Sequence, residues 1–336
     1  MKTYTLFDQP IKVSGVPFFE EQKRLARLPD SLMEQLPQLA HLGRRCAGGR
    51  AAFRTDSPVV HLKVTLKTLE VDIGMSLYSC QGVQVMIGER ANARHAGTVA
   101  PADYSQLVFE KTFYKSPEAE QVTLYFPRNE ILENIEISVE DDALVTAPTP
   151  YKYEKPVLFY GSSITEGGCA CNSPNAYNAI LSRWLDFDYY NLGFSACALG
   201  ELIMADYITT FDMGVFVYDY DHNAPTVEHL AKTHKPFFDR IRQVHPGLPV
   251  IMMTRPAEVY VQEAKDRREV VRATYQAALE AGDRNVWFID GETFYGETDR
   301  NLCSFDEVHP NDIGFLRMAT VIRPVLEGIL VGQGQG

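Results

Sequence analysis

The sequence predicts an α/β fold with a parallel sheet, preceded by an antiparallel β-sandwich, and three observations carry that expectation. From about residue 50 to 140, short apolar runs alternate with turn residues. From about 156 onward, β-branched and aromatic strands alternate with helical segments. A proline-spaced polar stretch, TAPTPYKYEKP at 146–156, separates the two patterns. Many short strands with turn signals read as a sandwich, and strands between helices read as βαβ units.

At 336 residues the chain is long for one core, so two units are expected, 1–150 and 151–336. In the first, EEQKRLARL and SLMEQLPQLAHL read as short helical or irregular segments. The runs VVHLKVTLK, GVQVMIGE, SQLVFEKTFY, QVTLYFP and NIEISVE follow as strands. In the second, VLFYG, FDYYNLG, MGVFVYDYD, LPVIMMTRP and NVWFIDG read as strands, and NAYNAILSRWL as a helix. The helix after the third of these strands carries Val227, Leu230, Ala231, Phe237, Phe238 and Ile241 on one stripe, and Pro246-Gly247 stops it.

Composition narrows the function classes. A formal net charge of −12 repels polyanions, which argues against nucleic acid and acidic membrane surfaces as partners. The amino terminus MKTYTLFDQPIKVSG has no apolar h-region, and no run approaches the roughly 20 apolar residues of a membrane span. A cytoplasmic location is the expectation. Six cysteines in so long a chain make no disulfide framework, and most are expected to be reduced and buried. Cys169-x-Cys171 lacks a second pair at ligand spacing, so neither a metal nor a cofactor is called for.

Chemistry concentrates at strand exits, where open α/β sheets bind ligands. The first strand of the second half ends in Gly161-Ser162-Ser163, the second in Asn191-Leu192-Gly193, and the third runs into Asp221-His222-Asn223. Asp306-Glu307-Val308-His309 follows the last strand. A serine hydroxyl needs an imidazole to take its proton, and the imidazole needs an acceptor on its other nitrogen. Ser163, His309 and Asp306 could fill these roles, with Pro310 opening a helix behind the pair. Backbone N–H groups of Ser163 and Gly193 and the side-chain amide of Asn223 could cradle an oxyanion.

Taken in order, Gly161-Ser162-Ser163, Gly193, Asn223 and Asp306 to His309 resemble the blocks of the SGNH, or GDSL-type, esterase superfamily over roughly residues 155 to 330. YDYDHNAPT and GSSITEGG resemble its branch with a β-sandwich in front, whose Gly-x-Asp-Leu-Tyr signature is imperfectly matched by Gly74-Met75-Ser76-Leu77-Tyr78. The resemblance implies a flavodoxin-like α/β/α catalytic layer behind a jelly-roll-like sandwich, with Ser163 as nucleophile. Two departures stand out: Ser162 replaces the family's Asp, and Asp221 and Ala224 stand where many members have Gly and Asp.

The resemblance implies ester hydrolysis, and the sandwich suggests a carbohydrate acetyl esterase acting on small-molecule or oligosaccharide esters. The front unit would then dock sugar or shape the pocket. A lipid or thioester acyl hydrolase is the alternative, and a non-catalytic sugar-binding protein a third; an oligomer is possible. The remaining polar residues read more plainly. His222 is expected to pack or line the pocket, while His229, His234 and His245 are expected to be solvated. The stretch from Glu292 to Asp299 reads as a solvated loop, and Tyr78 and Tyr260 as core or rim aromatics.

Overall fold

The computed structural model describes residues 1–72, 74–256 and 261–333. The front part builds two antiparallel sheets from β1 (Lys2–Tyr4), β2 (Lys12–Ser14), β3 (Arg50–Thr55), β4 (Val59–Leu66), β5 (Val83–Ile87), β6 (Arg94–Val99), β7 (Val108–Tyr114), β8 (Glu120–Tyr125), β9 (Leu132–Val139) and β10 (Val145–Thr146). One sheet runs β1-β9-β4-β7, and the other β10-β3-β8-β5-β6 with β2 beside β3. In β4 every second residue is buried, the signature of a strand with one face on a core. Val60, Leu62 and Val64 of the first sheet meet Phe53, Val85 and Val122 of the second in one apolar cluster. The two sheets therefore form a sandwich.

Short helices α1 (Phe19–Gln22), α2 (Asp30–Gln35), α3 (Ala40–Gly43) and α4 (Leu77–Cys80) interrupt the front part. The segment from Leu28 to Leu42 turns away from the sandwich. Its Leu28, Leu32, Met33, Leu36, Leu39 and Leu42 join the core on one face of the parallel sheet.

That parallel sheet comprises β11 (Tyr153–Gly161), β12 (Phe187–Gly193), β13 (Val215–Asp219), β14 (Val250–Met253) and β15 (Val286–Ile289) in the order β12-β11-β13-β14-β15. Between and after its strands lie α5 (Ser163–Glu166), α6 (Tyr177–Leu185), α7 (Leu202–Ile208), α8 (Val227–Val244), α9 (Gln262–Glu280) and α10 (Asp312–Gln333). Successive residues of β11 point to opposite cores: Leu158 and Tyr160 to the cluster holding α7, α8 and α9, and Val157 and Phe159 to the one holding α6 and α10. Burial on both faces explains why β11 reads as a continuous apolar run rather than an alternating one. Tyr160 stacks on Phe237 of α8 with ring centroids 5.0 Å apart.

Some elements differ from the sequence reading. Helix α7 falls between β12 and β13, where no helix was expected, because Met204, Ala205 and Ile208 supply a buried stripe. In α8 Ala231 is exposed, while His234 is buried against Tyr218 and hydrogen-bonded to Thr274 through Nδ1 at 2.9 Å. His229 and His245 each bond a backbone carbonyl, of Leu199 and Thr209, at 2.8 Å, so none of the three is simply solvated. The 292–299 stretch is not free in solvent either: Phe294 and Tyr295 are buried in the α6/α10 core, and Glu292 pairs with Arg268. All six cysteines are free thiols; Cys46, Cys80 and Cys303 are buried, and Cys171 is exposed. Among the described residues no helix is long and apolar enough to cross a membrane.

Candidate active site

The chain reverses direction across the sheet between β11 and β13, and that switch point opens a crevice at the strands' carboxyl ends. Gly161 of β11 lies in register with Gly193 of β12 and Asp219 of β13, so the three exits leave the sheet at one level. Gly161 is required there by space: a Cβ would fall 2.2 Å from Thr165 Oγ1 and 2.4 Å from the Asp219 carbonyl oxygen. Beneath it the Asp219 carboxyl accepts a hydrogen bond from Tyr177 Oη at 3.1 Å. Burial, and then neighbouring Asp221, push that carboxyl well above the usual carboxylate range.

The turn after Gly161 places its two serines differently. Ser162 is buried and caps α5, its Oγ accepting from the Ile164 N–H at 3.2 Å. A short side chain with an acceptor oxygen suffices for that cap, which accounts for serine in place of aspartate. Ser163 opens α5, and its Oγ lies 2.8 Å from His309 Nε2.

His309 Nδ1 lies 2.7 Å from Asp306 Oδ2. A carboxylate can only accept, so Nδ1 carries the proton, and in the neutral ring Nε2 is left to accept from the serine hydroxyl. The other Asp306 oxygen accepts from the N–H groups of Val308 at 3.1 Å and His309 at 2.7 Å, which folds 306–309 into a tight turn with Glu307 left-handed at φ 71°. Burial acts to raise the Asp306 carboxyl, but the hydrogen bonds and charge of His309 outweigh it and hold the group below its ordinary value.

Pro310 does not open the helix behind this turn. Helix α10 starts at Asp312, with Asn311 Oδ1 accepting from the Ile313 and Gly314 N–H groups. The loop is braced instead by the Ser304–Pro310 bridge and by Phe305 N–H donating to the His309 carbonyl at 2.8 Å.

His222 is half-buried and sits between this relay and Arg255, whose Nη1 is 2.6 Å from its Nδ1. Burial first, then the charges of Arg255 and His309, push it down to about 4. A ring held neutral at working pH suits packing rather than proton transfer. Cys169 comes in from the other side, left-handed at φ 69°, and its sulfur lies within 4.8 Å of ligand atoms of Asp306 and His309. These three could in principle ligate a metal ion, but Asp306 and His309 already bond each other. Burial, then Asp306, push the Cys169 thiol up to about 12. Asp221 and Ala224, the other departures, hold the 221–224 turn: the Asp221 carboxylate accepts from the Arg255 N–H, and both residues' carbonyls accept from Arg267 Nη1.

The description "GDSL-like lipase/acylhydrolase family" matches residues 154–327, and the N-terminus of SGNH-hydrolase-type esterases matches residues 2–145. The chain belongs to the GDSL-like lipase/acylhydrolase family. Among solved structures, this GDSL-type hydrolase is similar to a protein from Bacteroides ovatus described as a GDSL-like lipase, at 26% identity over 98% of each chain and a TM-score of 0.87. It shares its fold with the salicylyl-acyltransferase SsfX3 of a tetracycline biosynthetic pathway, at 18% identity over 98% of this chain and 97% of that one, TM-score 0.79. It also shares it with an acetyl xylan esterase from the rumen bacterium Butyrivibrio proteoclasticus, at 12% identity over 98% of each chain, TM-score 0.62. No curated protein matches the sequence at a significant level.

In this GDSL-type hydrolase one of the three groups read from the sequence as oxyanion donors already has a partner. The Gly193 N–H donates to Asn191 Oδ1 at 2.9 Å, so it is not available to a ligand. Glycine is needed there for close approach, because a Cβ would fall 2.1 Å from the Glu166 nitrogen of α5. Following the turn outward, the N–H of Phe194 goes to the Gly161 carbonyl, that of Ser195 to Glu166 Oε2, and that of Cys197 to the Phe194 carbonyl. Ala196, exposed and left-handed at φ 58°, carries the remaining N–H, and no acceptor for it occurs among the described residues. Asn223 is tied to the same turn, one amide hydrogen going to the Phe194 carbonyl at 2.7 Å, which leaves it the second. The sequence carried no sign of Ala196, since only glycine is expected in such a conformation.

The sandwich reaches this edge. Gly74 lies against the ring of Phe305, where a Cβ would come within 3.1 Å of it. Phe305 and Tyr78 are both more than half exposed. Tyr260, the other aromatic singled out in the sequence, lies outside the described residues. A surface depression lined by Lys152, Asp212, His245 and Pro249 lies at the sheet's opposite, amino-terminal edge.

Proposed function

We propose that the protein is a serine esterase that removes small acyl groups, acetyl first among them, from oligosaccharides. The observation that carries the reading is the continuous relay from Ser163 Oγ through His309 to Asp306, with links of 2.8 and 2.7 Å. His309 Nε2 takes the hydroxyl proton as Ser163 attacks the ester carbonyl, and Asp306 stabilises the imidazolium. The tetrahedral oxyanion is cradled by the N–H groups of Ser163 and Ala196 and the free amide hydrogen of Asn223. His309 then protonates the leaving sugar alkoxide, and water attacks the acyl-enzyme by the reverse relay.

The preference for a sugar rests on the exposed ring of Phe305, next to Asp306, on the exposed ring of Tyr78 in the front part, and on the approach of Gly74 to Phe305. The shared fold of an acetyl xylan esterase agrees with it. A fluorophosphonate probe is expected to label Ser163 and leave Ser162 untouched, read by peptide mass spectrometry. Acetate release from acetylated xylo- or manno-oligosaccharides is expected to exceed cleavage of an eight-carbon acyl ester. Labelling of Ser162 overturns the mechanism, and preference for the long chain replaces the sugar ester by a lipid or thioester substrate.

A further inference from the structure

One charged side chain outside the relay is wholly buried yet joins the two halves of the chain. Arg27 leaves the front part between α1 and α2, and its guanidinium enters the parallel-sheet half beneath the exit of β12. Its Nε donates to the Arg45 carbonyl at 3.2 Å. Its Nη1 donates to the Asn191 and Gly193 carbonyls at 3.2 and 2.6 Å. Its Nη2 donates to the Leu42 carbonyl at 2.9 Å and to Glu166 Oε1 at 3.1 Å. The cation lies 4.7 Å from the centre of the Phe194 ring. Side-chain exposure is 0% for Arg27 and 1% for Glu166.

The second oxygen of Glu166 accepts both the N–H of Ser195, at 3.1 Å, and its hydroxyl. A chain of direct bonds therefore runs from the front segment to the residue immediately before Ala196. Stability is a weak reason for such a pair, since well-packed apolar side chains of similar volume often do as well or better. What a planar guanidinium fork adds is direction. It fixes the carbonyls of residues 191 and 193 and the carboxylate that grips residue 195, which holds the chain leading into Ala196. The turn needs such a hold, because alanine in the left-handed region is disfavoured when left to itself.

We propose that Arg27 is a positioning residue for acyl transfer: through Glu166 and Ser195 it holds the Ala196 N–H in the orientation that receives the oxyanion. The front segment then supplies a working part of the hydrolase site. This rests on the reading above, in which Ser163 is the nucleophile and Ala196 an oxyanion donor. Donors act only within a narrow range of the developing charge, so a loosened turn weakens transition-state binding and leaves ground-state binding in place.

The test uses the full-length variants Glu166→Gln, Ser195→Ala, Arg27→Met and the Arg27→Met/Glu166→Gln pair. Steady-state hydrolysis of a small acyl ester, the rate and final extent of fluorophosphonate labelling, and thermal unfolding are read together. Glutamine can accept on one side only, so Glu166→Gln turns a donor toward either Arg27 or Ser195. It is expected to lower kcat and the labelling rate per competent site by about 10- to 100-fold, with KM within about 2-fold. Ser195→Ala, which keeps the N–H but loses the hydroxyl contact, is expected to lose about 3- to 10-fold. The midpoint of the pH–rate profile stays in place, because the His309–Asp306 pair is untouched. The double variant loses no more than the worse single one, since both act along one route.

Wild-type kcat per labelled site in Glu166→Gln and Ser195→Ala overturns the inference, as does a loss that merely tracks the fraction of folded enzyme. These two variants decide the matter if Arg27→Met fails to fold. A wild-type protein that neither hydrolyses esters nor labels at Ser163 removes the esterase reading and this inference together. A wild-type protein that does both while the variants behave normally removes the inference alone.

Discussion

Two hydrogen-bond systems meet at the carboxyl edge of the parallel sheet, and they are built in opposite ways. The Ser163–His309–Asp306 relay faces solvent, with side-chain exposures of 26% for His309 and 41% for Asp306, and two of its members sit three residues apart in one turn. In the Arg27–Glu166–Ser195 system the ion pair is sealed from water and Ser195 is half-buried, and the members come from three distant segments. The outer system can exchange protons and admit substrate. The inner one cannot, and its geometry is fixed by the number of carbonyls and carboxylate oxygens around a single guanidinium. On the proposed reading, proton traffic falls to the wet system, and charge stabilisation to a turn held by the largely dry one.

The comparison breaks most sharply at the nucleophile. Ser163→Ala removes the only atom of the outer system that bonds to the acyl group, and nothing in the inner system replaces it. Turnover is expected to fall at least ~10³-fold, with thermal unfolding little changed because the hydroxyl caps no helix. The buried serine that does cap one is Ser162. Hydrolysis retained at near wild-type rate in Ser163→Ala would take the outer system out of the chemistry.

Asn223→Ala probes the boundary between the two systems, because one amide hydrogen of Asn223 ties the Phe194 carbonyl and the other is the one proposed to meet the oxyanion. A loss of about 10²-fold in kcat is expected, with KM nearly constant. A rise in KM at constant kcat would instead make Asn223 a ground-state contact.

How legible each system is in the sequence follows from the same contrast. The outer one could be read because its parts are short-range or sit at strand exits: a serine after a buried strand, an Asp and His on one turn. The parallel sheet could be read for a similar reason, since strands buried on both faces, such as 157–160, are continuously apolar. Gly193 was misread because two demands look alike in one letter. A glycine after a strand can free an N–H or admit a neighbouring backbone, and here α5 presses on it. Arg27 was invisible because an arginine in EEQKRLARL carries no mark of burial, and its partners lie 139 and 164 residues away. His234 was hidden in the same manner on a helix whose other histidine, His229, lies nearer the surface.

His234 gives the smallest and most selective test of a wet against a dry histidine. Its ring lies 4.3 Å from the Tyr218 centroid, and burial pushes it down to about 3. Between that value and the ordinary histidine value near 6.5 the unfolded chain binds a proton that the folded one refuses. Stability contributed by this group is fully present above about pH 6.5 and is lost as pH falls toward 3, at up to about 1.4 kcal/mol per pH unit. His234→Phe is expected to flatten that part of the acid limb, measured by urea unfolding at pH 7, 5 and 4, while esterase activity at pH 7 stays close to wild type. An unchanged acid limb would mean that the ring takes up its proton in the folded state, and that the aromatic stack around it opens to water well before the sheet does.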